Sequence, residues 1–61
     1  MSKCYGFYYN HCGKKVDFKK GLLLYWGSET NHNGYLNTVA IIKLEDGTVI
    51  TAMPRNIKFY T

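Results

Sequence analysis

The chain predicts a small all-β domain of five or six short strands, and three observations predict it. Glycines recur at positions 6, 13, 21, 27, 34 and 47, mostly six to eight residues apart, a spacing that suits strands and is too short for ordinary helices. No window shows a sustained 3.6-residue apolar period. Asp46-Gly47, between two apolar runs, is the strongest local signal for a hairpin.

From the N-terminus, Tyr5-Gly6-Phe7-Tyr8-Tyr9 reads as a strand with Tyr5, Phe7 and Tyr9 on one face. Asn10-His11-Cys12-Gly13 reads as a turn. Lys15-Val16-Asp17-Phe18-Lys19 alternates charged and apolar residues, the pattern of a half-buried strand. Leu22 to Trp26 is an unbroken apolar run, expected to lie centrally with both faces covered. The polar stretch from Gly27 to Gly34 reads as the longest loop, and Thr38 to Leu44 as a second central strand.

A two-residue type I′ turn at Asp46-Gly47 would pair Leu44 with Val49 and Ile42 with Thr51. Ala40, Ile42, Leu44, Val49 and Met53 would then share one face, and Val39, Ile41, Ile50 and Ala52 the other. Both faces are apolar, so either the sheet curls with one face covered or one face is a contact surface. Pro54 has no amide hydrogen to continue a ladder. Pro54-Arg55-Asn56 reads as a short 3₁₀ turn, followed by a last strand, Ile57 to Tyr60. The expected core is Leu23, Ile42, Val49, Ile57 and Phe59. The whole chain, 1–61, is one domain with no internal repeat.

Composition narrows function. A chain of 61 residues has room for one thin hydrophobic centre and little for a water-excluding catalytic cleft. No apolar stretch approaches the roughly 20 residues of a membrane-spanning helix, and the N-terminus lacks the apolar segment of a signal peptide. These features place the protein in the cytosol, with Cys4 and Cys12 as free thiols rather than a disulfide. A metal site from Cys4, His11, Cys12 and His32 lacks the paired-ligand spacing of zinc sites, so neither metal nor cofactor is expected. His11 and Cys12 are sequence neighbours and point apart on extended chain, which misplaces them for base-assisted attack. No catalytic residue is assigned.

The net charge is +4. Lys3, Lys14, Lys15, Lys19 and Lys20, against Asp17, carry all of the excess, while residues 21–61 balance. This is either a solubilising face or a patch for an anionic partner.

The C-terminal half, Ile41 to Ile50 around Glu45-Asp46-Gly47-Thr48, then Met53-Pro54-Arg55-Asn56-Ile57-Lys58-Phe59, resembles the end of a Src-homology-3-like barrel. The resemblance covers roughly residues 37–61 and implies a small barrel with a 3₁₀ turn before its closing strand. The same segment, with Leu23-Leu24-Tyr25-Trp26-Gly27, is similar to small proteins of bacteriophages and prophages; that implies origin and fold, not activity. Pro54 and Asn56 match the late proline and asparagine of peptide-binding Src-homology-3 domains. Ile57 stands where those domains carry a tyrosine, the early loops are basic rather than acidic, and the only tryptophan, Trp26, lies elsewhere. These departures speak against proline-rich ligands.

Two functional classes follow. The favoured reading is a non-enzymatic module, of the sort phages make, that binds and inhibits or modulates a host protein through aromatic anchors. The alternative is nucleic-acid or nucleotide binding by the basic, tyrosine-rich first third, in which lysines meet phosphates and tyrosines stack on bases. The candidate partner-binding residues are Tyr5, Tyr8, Tyr9, Lys14, Lys15, Lys19, Lys20, Tyr25 and Trp26.

Overall fold

The computed structural model describes residues 2–60. Its strands are β1 (Ser2–Tyr9), β2 (Lys15–Thr30), β3 (Leu36–Lys43), β4 (Val49–Ala52) and β5 (Ile57–Phe59), with a 3₁₀ turn, Pro54–Asn56, before β5. All pair antiparallel in one sheet of order β4-β3-β2-β1-β5. The sheet is not closed, because no ladder joins its two edges, β4 and β5. No helix among the described residues is long and apolar enough to cross a membrane.

The sheet curls around one small core. Cys4, Phe18, Ala40, Ile42, Ile50, Ala52 and Ile57 are buried together, with Tyr8, Leu23 and Leu44 packed against them. Curling requires β2 to bend, and it carries an extra residue at two places. Its register to β1 shifts between Cys4 and Gly6, and its register to β3 shifts between Leu23 and Tyr25. Such bulges bend the strand and re-aim side chains.

The hairpins share one turn. Gly13, Gly34 and Gly47 have φ of 76°, 85° and 92°, each closing onto the residue three before it: Asn10, Asn31 and Leu44. These are three-residue loops in which a type I turn is followed by a left-handed glycine. Asn10 Oδ1 accepts the amides of Cys12 and Lys14, and Asn31 Oδ1 those of Asn33 and Tyr35. Asn-His-x-Gly thus occurs twice, at 10–13 and 31–34, a local repeat that the reading of the sequence overlooked. In the third turn Asp46 Oδ1 accepts the Thr48 amide at 2.9 Å. Hydrogen bonding from Thr48 holds the Asp46 carboxyl below its ordinary pKa.

This turn corrects the expected register. A three-residue loop pairs Ile42 with Ile50 and Lys43 with Val49, one step from the two-residue expectation. A one-residue slip exchanges the faces of a strand. Ile50 and Ala52 therefore join Ile42 in the core, while Val49 is 55% exposed. Phe59 is also outside the core, at 39% exposed on the short edge strand, and Leu23 is only partly buried. The apolar run Leu22–Trp26 is not covered on both faces, since Tyr25 and Trp26 are exposed. The loop expected from Gly27 to Gly34 is instead the end of β2 up to Thr30, then the turn. The turn at Asn10–Gly13, the 3₁₀ turn at Pro54 and the burial of Ile42 and Ile57 agree with expectation.

Gly6 lies close against the backbone of the 3₁₀ turn. Its φ is 153°, and a Cβ there would lie 2.1 Å from the Asn56 carbonyl oxygen and 2.8 Å from the Ile57 Cα. Backbone cannot yield as a side chain can. Gly6→Ala is expected to cost about 3 kcal/mol, the upper end for overpacking, and to lower the thermal midpoint by more than ~10 °C. Gly13→Ala adds a Cβ into open space and bears only the left-handed strain, about 1–2 kcal/mol. Circular-dichroism melts of the two variants decide; a smaller loss for Gly6→Ala would contradict the seating of the 3₁₀ turn on β1.

Candidate functional site: a lysine groove on the outer face

The bulge in β2 creates the most distinctive surface. Phe18 is buried, and a Cβ on Gly21 would strike the side chains of Phe18 and Ile42 at 2.7 Å, so both positions face the core. Strand alternation allows only one outward residue between two inward ones. Here there are two, Lys19 and Lys20, opposite the single residue Tyr5 of β1. Both lysines therefore lie outside the curl, and neither is buried.

Cross-strand pairing adds more cations. Lys3 pairs with Leu22, and Leu22 with Lys43, giving a row across β1, β2 and β3 on that face. One row further along β1, Tyr5 pairs with Lys58 of β5. Lys3, Lys19, Lys20 and Lys43 surround a groove of about 630 Å³ with Gly21, Leu22, Leu44 and Tyr60. Its one carboxylate, Glu45, sits 3.7 Å from Lys20. Both partners are about three-quarters exposed, so the pair contributes no more than about 1 kcal/mol and leaves both groups free to rearrange.

Tyr60 fixes the groove from the side. Its amide donates to the Lys3 carbonyl, extending the β1–β5 ladder. Its ring lies 4.9 Å from that of Tyr5, and its hydroxyl donates to the Lys19 carbonyl at 2.6 Å. A bulge leaves one residue outside the ladder, so this side chain ties the bulged backbone down from two strands away.

The expected candidates divide. Lys19 and Lys20 line the groove, and Tyr5, opposite the bulge, lies beside it against Tyr60. Tyr9 and Lys15 lie further along the same face, with the Lys15 ammonium 4.4 Å above the Phe7 ring and Tyr9 edge-on to Phe7 at 5.9 Å. Lys14 follows the turn glycine, apart from the groove. Tyr8 turns inward against Phe18, ring centroids 6.3 Å apart. Tyr25 pairs with Ile41, one row along the outer face from the Leu22–Lys43 pair, and Trp26 meets Phe59 at 6.2 Å; none of Tyr25, Trp26 and Phe59 lines the groove. The reading missed Lys43, Lys58 and Tyr60 as site residues, and Lys3 it only counted. The signal for the bulge was available: Phe18 and Gly21 are three apart, one residue off strand alternation.

Other reactive groups are dispersed. The Cys4 thiol is in the core, where burial raises its pKa, while Cys12 is exposed at a hairpin tip. His11 and His32 occupy equivalent turn positions at opposite ends of β2. Among the described residues no three His, Cys, Asp or Glu side chains converge to hold a metal ion. Comparison with protein-family models, curated proteins and solved structures found no match to this chain.

Tyr60→Phe keeps the ring and removes the hydroxyl. Losing the bond to Lys19 is expected to cost about 0.5–1.5 kcal/mol and to speed amide hydrogen exchange at Lys19 to Leu22. Unchanged exchange there would show that the bulge holds without Tyr60.

Proposed function

We propose that this chain is a non-enzymatic binding module whose ligand is anionic and seats on the lysine groove. One observation carries the reading: the bulge sets Lys19 and Lys20 side by side on the face where Lys3 and Lys43 are brought in from neighbouring strands. Sequence placed these charges 40 residues apart, and pairing gathers them. Four ammonium groups around an apolar floor of Leu22 and Leu44, with one exposed carboxylate, attract an anion and offer it contact area.

The strand order and the 3₁₀ turn before β5 support an SH3-like relationship within this proposal. A viral origin enters this proposal only as what the resemblance of the C-terminal segment to small phage proteins implies. A cytosolic setting, which keeps Cys4 and Cys12 as thiols, belongs to the same proposal.

A second reading, a host-protein partner that the chain inhibits or modulates, has its own support. Trp26 and Phe59 form a partly exposed aromatic pair, and Tyr35 and Leu36 are more exposed still. Aromatic residues of this kind dominate protein interfaces. None of these four residues lines the lysine groove, so the two readings predict different sensitive residues.

Heparin and a mixed-sequence oligonucleotide serve as polyanion probes in fluorescence-anisotropy titrations. Affinity is expected to fall steeply between about 50 and 200 mM salt, because bound lysines release counterions. The triple change Lys19→Glu, Lys20→Glu, Lys43→Glu is expected to weaken binding at least ~100-fold, and Lys14→Glu less than ~3-fold. Salt-insensitive binding, or an equal loss from Lys14→Glu, would overturn the groove as the site.

A further inference from the structure

We infer that the anion is a single strand of nucleic acid, its phosphates following the lysines and its bases stacking on a tyrosine stripe along β1. This rests on the anionic reading above and names the ligand within it. Tyr5, Phe7 and Tyr9 pair with positions of β2 on the outer face: Phe7 with Asp17, Tyr9 with Lys15, and Tyr5 opposite the Lys19–Lys20 bulge. Tyr60 lies beside Tyr5. Tyr5, Tyr9 and Tyr60 are 36%, 60% and 54% exposed, whereas Phe7 is covered by Lys15 and flanked by Tyr9. Tyrosine rings are thus offered at both ends of a stripe about 14 Å long, four steps at ~3.4 Å rise.

Lysines flank these rings on both sides: Lys58 on β5, and Lys15, Lys19 and Lys20 on β2, with Lys3 and Lys43 beyond. A basic track beside exposed aromatic faces is the arrangement that holds single strands, because unstacked bases have free π faces and phosphates follow the cations. A duplex keeps its bases stacked on each other and would leave the tyrosines unused. Asp17 is the one acid within the stripe, opposite Phe7, and it repels phosphate there. Lys58, Lys3, Lys19, Lys20 and Lys43 run across the strands and meet the stripe at its Tyr5 end, so the phosphates seat there, with the nearest bases on Tyr5 and Tyr60 and the strand continuing along β1 toward Tyr9. Arg55, the sole arginine, lies in the 3₁₀ turn and does not line the groove. Lysines are point charges without the planar fork that reads base edges, so the strand is held with little sequence preference.

The test compares three ligands: an oligothymidylate of about twelve nucleotides, an abasic deoxyribose-phosphate strand of the same length, and a blunt duplex. Oligothymidylate is expected to bind at least ~10-fold tighter than either of the others. Tyr9→Ala and Tyr5→Leu should each weaken it about 5-fold or more, leaving affinity for the abasic strand unchanged. Tyr9 is largely exposed and outside the core, so its variant folds, and its thermal midpoint confirms this. Equal affinity for the abasic strand or the duplex overturns the single-strand inference while the anionic groove stands. No binding to any of the three or to heparin at low salt overturns both.

Discussion

Phe18 and Gly21 both face Ile42, although they stand three apart in a strand whose side chains alternate with period two. That packing constraint shapes most of what lies around it. Gly21 has no side chain, so Phe18 and the wholly buried Ile42 fill the space where a Cβ would be. The extra residue between them must go outward. β2 bends there, the sheet curls, and a chain of 61 residues obtains a core from one layer of strands. The same residue count puts two lysines where an unbulged strand would put one. Core packing and surface charge are two consequences of a single irregularity.

Tyr60 anchors the bulge beneath this polar surface. Bulged backbone has fewer ladder partners, and here Tyr60 supplies one by reaching the Lys19 carbonyl across β1. Tyr60 reaches that position because Gly6 lets the 3₁₀ turn and β5 lie close against β1. The glycine at one edge and the lysines at the centre are thus linked through the C-terminal strand.

Much of the fold was legible in local chemistry. The all-β class, the turn at Asn10–Gly13, the Asp46-Gly47 hairpin, the 3₁₀ turn at Pro54 and the burial of Ile42 and Ile57 all follow from short-range signals. The loop length at Asp46-Gly47 did not, because Asp-Gly suits both a two-residue turn and a type I turn with a left-handed glycine. One residue of loop then decided which face of β4 is core. Glu29 and Thr30 read as loop because they are polar, yet they pair with Asn37 and Leu36 at the exposed end of the sheet, where polar residues are at no disadvantage. Of the site, Tyr5, Lys19 and Lys20 were legible as part of a basic, tyrosine-rich segment. Lys43 and Tyr60 were not, since their proximity depends on strand order and register that no local pattern carries.

The central claim is that the outer face of β1 and β2 is the binding surface. Its most direct test is a two-dimensional amide spectrum of the protein titrated with oligothymidylate at low salt. The largest shifts are expected at Lys3, Tyr5, Lys19, Lys20, Leu22 and Lys43, with little change at Trp26, Tyr35 and Leu36. Shifts concentrated at Trp26, Tyr35, Leu36 and Phe59, with the lysine rows unmoved, would contradict it and place the binding surface on the exposed aromatic residues instead.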